Sequence, residues 1–348
     1  MKKKQKILVI AVSGIGNTIL QSPAIKALFL RDYFQVDVLF GNQAMANVFW
    51  NEKRIHHKYI LPKGFAAKIR LVQEFRKNQY DYAVACFPSN RMEFHMLMFL
   101  SGAKRRVIHS YRKGRWRTLS FLSNLKIPAD STLHDVEQNL NLLTVFNIEP
   151  ARVERQLVFN TEKAHRNFAD SFIETHQLGG KTIFGLHAGC KKSEEYRRWP
   201  ADKFIALIER LNQNSIHCLL FGGPDEKDVT LSIFNGTRNH SINHVVEEND
   251  INNIGALIQK CHCFLTTDSG LGHIAAAQGV DVYAIFGPAQ ASRTAPYGAK
   301  GHYISLDLPC SPCMGYPFTA THSKIKCPYE FKCLRTLNVE DVFNTIME

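Results

Sequence analysis

Short apolar segments alternate along the chain with segments that have the spacing of amphipathic helices. The predicted strands are 7–12, 36–40, 80–87, 181–189, 216–223, 263–268 and 282–288. The predicted helices are 22–31, 65–77, 134–146, 162–176, one that begins near Pro200, 251–261 and 270–279. Because strands and helices alternate, we expect parallel sheets covered by helices.

The segment 147–160 interrupts this alternation and indicates a linker between two Rossmann-like lobes. We expect an amino-terminal lobe over 1–155, a carboxyl-terminal lobe over 156–335 and a final helix over 336–348. The predicted fold class is therefore α/β, with two lobes whose strand ends face a central cleft where ligands bind.

Composition and charge narrow the class of protein. The 348 residues are 45% apolar and 21% charged, which is typical of a soluble globular protein. The lysines before 7–12 imitate a secretion signal, but the apolar run is short and enters a glycine turn, so we expect a buried strand in a cytoplasmic protein.

The net charge is +12, and the densest basic stretch is 104–117. This stretch is either a solvated loop or a surface for a phosphate-bearing acceptor or an anionic membrane face. Nucleic acid is not an expected partner, because the usual binding motifs are not found.

The strongest candidate site is TTDSGLGH, residues 266–273. A strand is predicted to end at Asp268, the chain turns through Ser269 and Gly270, and a helix starts at once. Backbone N–H groups at a helix start favour a phosphate, and His273 lies one turn further on. The alternative is an ordinary strand–turn–helix with a capping acid.

Three other turns follow predicted strands. In HAGCKKSEEYRRWP, Lys192 and Arg197 suit a diphosphate leaving group, although an exposed charged loop would look the same. In FGGPDE, Glu226 could accept hydrogen bonds from ribose hydroxyls, but an acid at a helix start is the commoner explanation. In AIFGP, Gly287 makes a further close turn.

The first strand runs into GIGNTIL, which contains Gly16, Asn17 and Thr18. This stretch lacks the spacing G-x-G-x-x-G, and no acid closes the second strand as a ribose ligand. A dinucleotide dehydrogenase is therefore disfavoured.

Four of the nine cysteines, Cys310, Cys313, Cys327 and Cys333, lie in the segment 306–335 as C-x2-C and C-x5-C pairs. Four thiolates on loops suit a tetrahedral metal ion. Reduced thiols or a disulfide pair are the alternatives.

Together, TTDSGLGHIAAAQG, AIFGP and RTAPYG resemble the signature of the bacterial heptosyltransferases, glycosyltransferase family 9. GIGNTILQSPAIKAL, SGAKRRV, LHDVEQNLNLL and HAGCKKSEEYRRWP agree with this family in the same order. The resemblance implies a GT-B fold whose final helix crosses back onto the amino-terminal lobe. It also implies transfer of a heptose, with inversion, from ADP-heptose to a lipopolysaccharide or other lipid-linked glycan, in peripheral contact with the inner membrane.

The resemblance also implies roles for single residues. Asp268 and His273 would be catalytic, and Asn17 stands where the family commonly has the Asp proposed as base. The donor would contact Lys192, Arg197, Glu226, Ser269, Gly270 and Gly287. The acceptor would contact Gly16, Thr18, Arg105 and Arg106. No catalytic metal is expected, and the cysteine-rich tail resembles a structural iron site in one branch of the family, so the four cysteines would hold iron or zinc.

Asn17 is the main departure from the family pattern, because an amide cannot take a proton at working pH. The base would then come from Asp81, Glu93 or Asp135, or turnover would be weak or absent. The alternatives are therefore the same fold with another donor or a protein or capsule acceptor, and a sugar-nucleotide-binding protein with little turnover.

Overall fold

The chain forms two compact units, each built on its own parallel sheet. In the computed structural model, residues 4–111, 116–190, 192–315, 317 and 326–348 are described. The first unit extends to Asn160 and the second begins at Thr161, five residues after the boundary expected from the sequence. None of the helices in the described chain has both the length and the apolar composition needed to cross a bilayer.

The first unit contains a six-stranded sheet in the order β3-β2-β1-β4-β5-β6. Its strands are β1 (Gln5–Ala11), β2 (Phe34–Phe40), β3 (His57–Ile60), β4 (Tyr82–Ala85), β5 (Arg105–Ser110) and β6 (Leu125–Pro128). Its α-helices are α1 (Ile15–Phe29), α2 (Gln43–Ala46), α3 (Phe65–Asn78), α4 (Met92–Leu100) and α5 (Asp135–Asn141). Short 3-10 helices are Asn47–Phe49, Ser120–Leu122, Leu142–Phe146 and Pro150–Arg152.

The helices of this unit cover both faces of the sheet. Right-handed crossovers from β3 to β4 and from β4 to β5 place α3 and α4 in one layer. Phe75 of α3 and Phe94 and Met98 of α4 share a core cluster with residues of the strands beneath them. Helices α1 and α5 pack against each other in the other layer.

The second unit repeats the same arrangement, in the strand order β12-β11-β10-β7-β8-β9. Its strands are β7 (Ile183–His187), β8 (His217–Phe221), β9 (Asn243–Val246), β10 (Cys263–Thr267), β11 (Asp281–Ile285) and β12 (Gly301–Ile304). Its α-helices are α6 (Lys163–Thr175), α7 (Ala201–Gln213), α8 (Lys227–Gly236), α9 (Ile251–Ile258), α10 (Gly270–Ala277), α11 (Ala291–Thr294), α12 (Lys332–Arg335) and α13 (Val339–Met347). Two 3-10 helices are Lys192–Arg197 and Pro224–Glu226.

A close approach between β7 and β10 fixes the centre of this sheet. A Cβ atom added at Gly185 would lie 2.4 Å from Cδ2 of Phe264, so only glycine lets that ring pack flat against β7. Both strands are fully buried, which explains why they are near-continuous apolar runs in the sequence.

The final helix packs within the second unit. Helix α13 packs against α7, and its buried residues Val342, Phe343 and Ile346 belong to that unit's core cluster. The physical reason is the apolar stripe of α7, where Phe204, Leu207 and Leu211 need a covering surface and α13 contributes to it. That this helix packs on the first lobe stays a prediction.

Candidate active site

The candidate site lies at the point of the second sheet where the strand order changes direction. From β7 the next strands are added on one side, and from β10 they are added on the other. Strands β7 and β10 are neighbours there, although the connections from them run to opposite sides of the sheet. His187 at the end of β7 is paired in register with Thr266 of β10. Parallel α/β sheets bind ligands at such a switch point, beyond the carboxyl ends of the strands.

Ser269 precedes α10 in an extended conformation, but in the described chain its hydroxyl makes no capping bond to that helix. Instead the hydroxyl lies 2.9 Å from Nδ1 of His187 and 2.8 Å from Oγ1 of Thr266. The first N–H groups of an α-helix have no partner within the helix. Because Ser269 does not cap them, the start of α10 can receive an anion, as the sequence predicted for TTDSGLGH.

Gly272 has a packing role in this turn. A Cβ atom at Gly272 would lie 2.7 Å from Cγ2 of Thr266, so this glycine lets the first turn of α10 pack closely on β10.

His187 connects Ser269 to Glu226. Its Nε2 lies 3.0 Å from Oε2 of Glu226, and that oxygen also accepts a hydrogen bond of 2.8 Å from the Gly223 N–H. Burial works to raise the pKa of Glu226, but the hydrogen bond and charge of His187, the Gly223 bond and the charge of Arg198 outweigh it and lower that pKa to about 2. Glu226 is therefore an ionised, nearly buried carboxylate.

The glycine of the HAG turn makes room for this carboxylate. A Cβ atom at Gly189 would lie 2.5 Å from Cδ of Glu226. A side chain at this position would displace Glu226 from the network, which accounts for the small residue in the turn.

Asp268 and Arg197 form a largely buried ion pair of 3.0 Å, with side chains 10% and 18% exposed. Glu194 adds a second contact to Arg197 at 3.4 Å. Burial raises the pKa of Asp268, while the charge of Arg197 opposes this rise. Nε of Arg197 is buried and has no hydrogen-bond partner among the described residues, so this guanidinium has donor capacity left for a ligand.

The remaining residues predicted to act on the donor side are Lys192, Gly287 and His273. The side chain of Lys192 lies outside the described part of the structure. Gly287 is explained by packing, because a Cβ atom there would lie 2.6 Å from Cγ of Leu334. His273 is buried in the first turn of α10, and the buried Arg293 of α11 is close enough for its charge to act on Asp268.

In the first unit, α1 begins at Ile15, so GIGNTIL is a helix start and not an extended turn. Asn17 is half-buried, and its Nδ2 donates to the Ser13 carbonyl at 3.2 Å. Thr18 is fully buried, and its hydroxyl donates to the Gly14 carbonyl at 3.0 Å, so its predicted contact with an acceptor is wrong in this conformation. Gly16 precedes them in the first turn of the same helix.

Arg105 and Arg106 are not brought together with Asn17. They begin β5, and Arg105 is in register with Tyr82 at the start of β4, whereas Asn17 follows the carboxyl end of β1. The strands are parallel, so the two arginines lie at the opposite edge of the sheet. The prediction that they join Asn17 in an acceptor site is therefore wrong.

The three candidate bases are also separated. Asp81 lies at the amino edge of the sheet, where it accepts a 3.0 Å hydrogen bond from the Lys6 N–H. Glu93 is exposed on α4 and pairs with Arg91. Glu93 and Asp135 both lie in the first turn of a helix that follows a strand, which places them at the edge that carries Asn17, and of these two only Asp135 is buried.

The predicted iron or zinc site is not supported. Among the described residues there is no group of three or more His, Cys, Asp or Glu that could hold a metal ion. Cys333 packs in the core of the second unit, whereas Cys313 is exposed. Burial raises the pKa of both thiols, and the charges of the neighbouring cysteines add to this rise.

His187 is the residue that the sequence interpretation missed. The sequence places it only at the start of the HAG turn, whereas in the structure it bridges two predicted site residues, Ser269 and Glu226. The available signal was a single polar residue at the end of an otherwise apolar strand, where site residues of parallel sheets concentrate.

Comparison with known proteins identifies the family. Residues 68–323 match the family described as glycosyltransferase family 9 (heptosyltransferase). Lipooligosaccharide heptosyltransferase 2 of Campylobacter jejuni is 25% identical over 345 residues, which cover 97% of this chain and 96% of that protein.

Two solved structures share the fold over nearly the whole chain. The family 9 glycosyltransferase of Veillonella parvula has a TM-score of 0.78 at 18% identity and covers 99% of this chain and 97% of its own. ADP-heptose lipopolysaccharide heptosyltransferase II of E. coli has a TM-score of 0.74 at 18% identity, over 98% and 97%. The predicted GT-B class, with two parallel six-stranded sheets and their helices, is confirmed, and the chain belongs to glycosyltransferase family 9, the heptosyltransferase family.

Proposed function

We propose that this protein transfers a heptose-like sugar from ADP-heptose to a hydroxyl group of a cell-envelope glycan such as lipopolysaccharide, with inversion at the anomeric carbon. The observation that carries the proposal is the uncapped start of α10 beside the Arg197–Asp268 pair. It combines backbone donors with a partly unsatisfied guanidinium, which is what a diphosphate leaving group requires.

In this mechanism the second unit holds the donor. The start of α10 and Arg197 would bind the diphosphate and stabilise the charge that develops on it as the sugar leaves. Asp268 would orient Arg197, and Glu226 would accept hydrogen bonds from ribose hydroxyls with its remaining lone pairs. No step in this mechanism requires a metal ion.

The first unit would bind the acceptor. Asn17 would orient the acceptor hydroxyl through its amide, and Asp135 is the base candidate at the same edge of the sheet. We place the enzyme on the cytoplasmic side of the envelope, in peripheral contact with the inner membrane.

The test is calorimetric titration of the full chain with ADP-, GDP- and UDP-sugars. We expect ADP-heptose to bind, and we expect Asp268→Ala to lose binding as well as turnover because Arg197 is left paired with Glu194 alone. The control is Glu247→Gln, an exposed carboxylate that is 71% accessible. Unchanged ADP-heptose affinity in Asp268→Ala would contradict the assigned donor site.

The alternative function is a sugar-nucleotide-binding protein with little turnover, and the observation that favours it is Asn17. Asn17→Asp separates the two. Aspartate there lies in the first turn of α1, where the helix dipole favours a negative charge, so the fold should tolerate it. If turnover of ADP-heptose with acceptor rises at least tenfold while donor affinity is unchanged, the natural chain is a sugar-nucleotide-binding protein with little turnover.

A further inference from the structure

Helix α4 is apolar on the side that faces solvent as well as on the side that faces the core. Phe94 and Met98 are buried in the core cluster. Met92, Met96 and Phe99 are 45%, 40% and 48% exposed, and their spacing of four and three residues places them on one outer face. A helix that is apolar all round is normally buried, so this outer face lacks a covering partner.

The apolar surface continues onto neighbouring elements. On α3, Phe65 is 81% exposed and Ile69 is 43% exposed. Beyond β5, Trp116 is 77% exposed, and its ring lies 5.2 Å from that of Phe121, which is 38% exposed. With the three residues of α4, these make up seven of the twelve exposed large apolar side chains in the described chain, and we call them the α3–α4 surface.

Hydrogen bonds hold these elements together as one layer. Nε of Arg76 on α3 donates to the Leu100 carbonyl at the end of α4, at 2.9 Å. Nε of Arg106 donates to the Leu122 carbonyl at 2.7 Å, and His95 of α4 lies 3.1 Å from the Ser123 hydroxyl. The α3–α4 surface is therefore built on a fixed scaffold.

The segment that carries this surface is basic. Within 63–126, the described residues include eleven Lys and Arg against three Asp and Glu. Lys63 and Lys68 are exposed beside Phe65 and Ile69, and Cζ of Arg106 lies 5.7 Å from the centre of the Phe99 ring. Residues 1–160 hold 25 Lys and Arg against 11 Asp and Glu, a net +14, whereas residues 161–348 hold 18 against 20, a net −2.

We infer that the α3–α4 surface binds the surface of an anionic lipid bilayer. Exposed methionine and aromatic side chains on a basic segment match the interfacial mode of membrane binding. In this mode apolar groups enter the headgroup region, and lysines and arginines contact lipid phosphates. A second copy of the same face would bring like charges together, which disfavours self-association. This inference rests on the proposed peripheral contact and assigns it to named residues.

The test is cosedimentation of the full chain with vesicles of phosphatidylcholine, alone or with a minority of phosphatidylglycerol. We expect binding to the anionic vesicles only, with a steep loss at high salt. Met92→Ser combined with Met96→Ser should weaken binding at least about tenfold. Lys63→Gln combined with Lys68→Gln should weaken it about fivefold for each charge removed.

The matched control is Leu30→Ser, a side chain 41% exposed at the end of α1 in the other helix layer of the same unit. It should bind vesicles as the unaltered chain does. Equal binding to neutral vesicles, no binding to anionic ones, or full binding by the double methionine variant would overturn the inference. So would sedimentation velocity showing a dimer that this variant dissociates, because the face would then join two copies of the chain.

Donor titration of the same variants separates this inference from the proposed function. Unchanged ADP-heptose affinity with lost vesicle binding supports the surface without depending on the chemistry of the site. A loss of ADP-heptose affinity when Met92→Ser is combined with Met96→Ser would contradict the inference that the α3–α4 surface acts only in membrane binding.

Discussion

Glu226 is a site residue that the sequence indicates, but its hydrogen-bond partner could not be foreseen from the sequence. The sequence placed an acid after β8, but the structure directs that acid to His187, which then reaches Ser269. A one-dimensional pattern cannot reveal this, because 39 residues separate Glu226 from His187 and only the parallel pairing of strands brings them together. The donor turn itself was predictable, since its strand, turn and helix start are contiguous in sequence.

Glu226→Gln is expected to change how stability depends on pH. The folded pKa of about 2 lies below the ordinary value of 4.5, so the carboxylate stabilises the fold fully above about pH 5 and loses this contribution as pH falls from 4.5 towards 2. The shift corresponds to roughly 3 kcal/mol, and glutamine keeps the shape without titrating. Urea unfolding at pH 7, 5 and 3.5 should show a gap between the two proteins that narrows with acid.

The control is Glu247→Gln, whose exposed carboxylate should leave the profile of the unaltered chain in place. A gap between Glu226→Gln and the unaltered chain that stays constant from pH 7 to 3.5 would show that Glu226 is not held as an ion by His187.

Arg105 and Arg106 show the limit of predicting the acceptor side from the sequence. Sequence order placed Arg105 and Arg106 in a basic stretch, but the start of a strand and the loop after a strand lie at opposite edges of a parallel sheet. Residue type alone could not assign the two arginines to an edge, because that assignment requires knowing where β5 begins.

At the scale of the element, α1 shows why a helix start was misplaced. The sequence predicts a helix over 22–31. The helix instead begins at Ile15 and continues through Pro23. Proline has no N–H for the Ile19 carbonyl, and the Ser22 hydroxyl donates to that carbonyl at 2.6 Å, which compensates for the missing bond.

Helix α13 provides a prediction at the same scale. Phe343 is 7% exposed in the core of the second unit, and Cζ of Arg210 lies 4.8 Å from its ring centre. Phe343→Ala should lower the free energy of unfolding of that unit by about 3 to 5 kcal/mol, because it removes a large buried ring. Urea unfolding followed by fluorescence of Trp199, which is buried in the same cluster, measures the loss.

Met347→Ala is the matched control, since Met347 lies on the same helix and is 44% exposed. It should change stability by less than about 0.5 kcal/mol. If Phe343→Ala were as mild as Met347→Ala, the packing of α13 on α7 would be wrong.

At the scale of the whole molecule, the alternation of strands and helices was sufficient to predict two parallel sheets, because buried parallel strands are long apolar runs. The final helix was not predictable in the same way. An amphipathic helix at the end of a chain can cover any apolar stripe of similar length. The sequence does not show which helix presents such a stripe without a covering partner.

The two separate cores lead to a prediction about ligand binding. Trp199 is in the second unit, whereas Trp50 and Trp116 are in the first. In a variant with Trp50→Phe and Trp116→Phe, Trp199 fluorescence reports unfolding of the donor-binding unit. ADP at a hundred times its Kd should stabilise that transition by about 2.7 kcal/mol.

The complementary variant, Trp199→Phe, reports the first unit through Trp50 and Trp116. Its transition should not move when ADP is added. A shift of the same size in both proteins would mean that the nucleotide also binds the first unit, or that the units unfold as one.

The division of charge between the two units has an electrostatic consequence. The first unit carries a net +14 and the second a net −2. An anionic plane would attract the first unit and weakly repel the second, so it would select the first unit before any side chain makes contact. Because the field decays over about 8 Å at physiological ionic strength, this selection would act only across the last layers of solvent next to the plane.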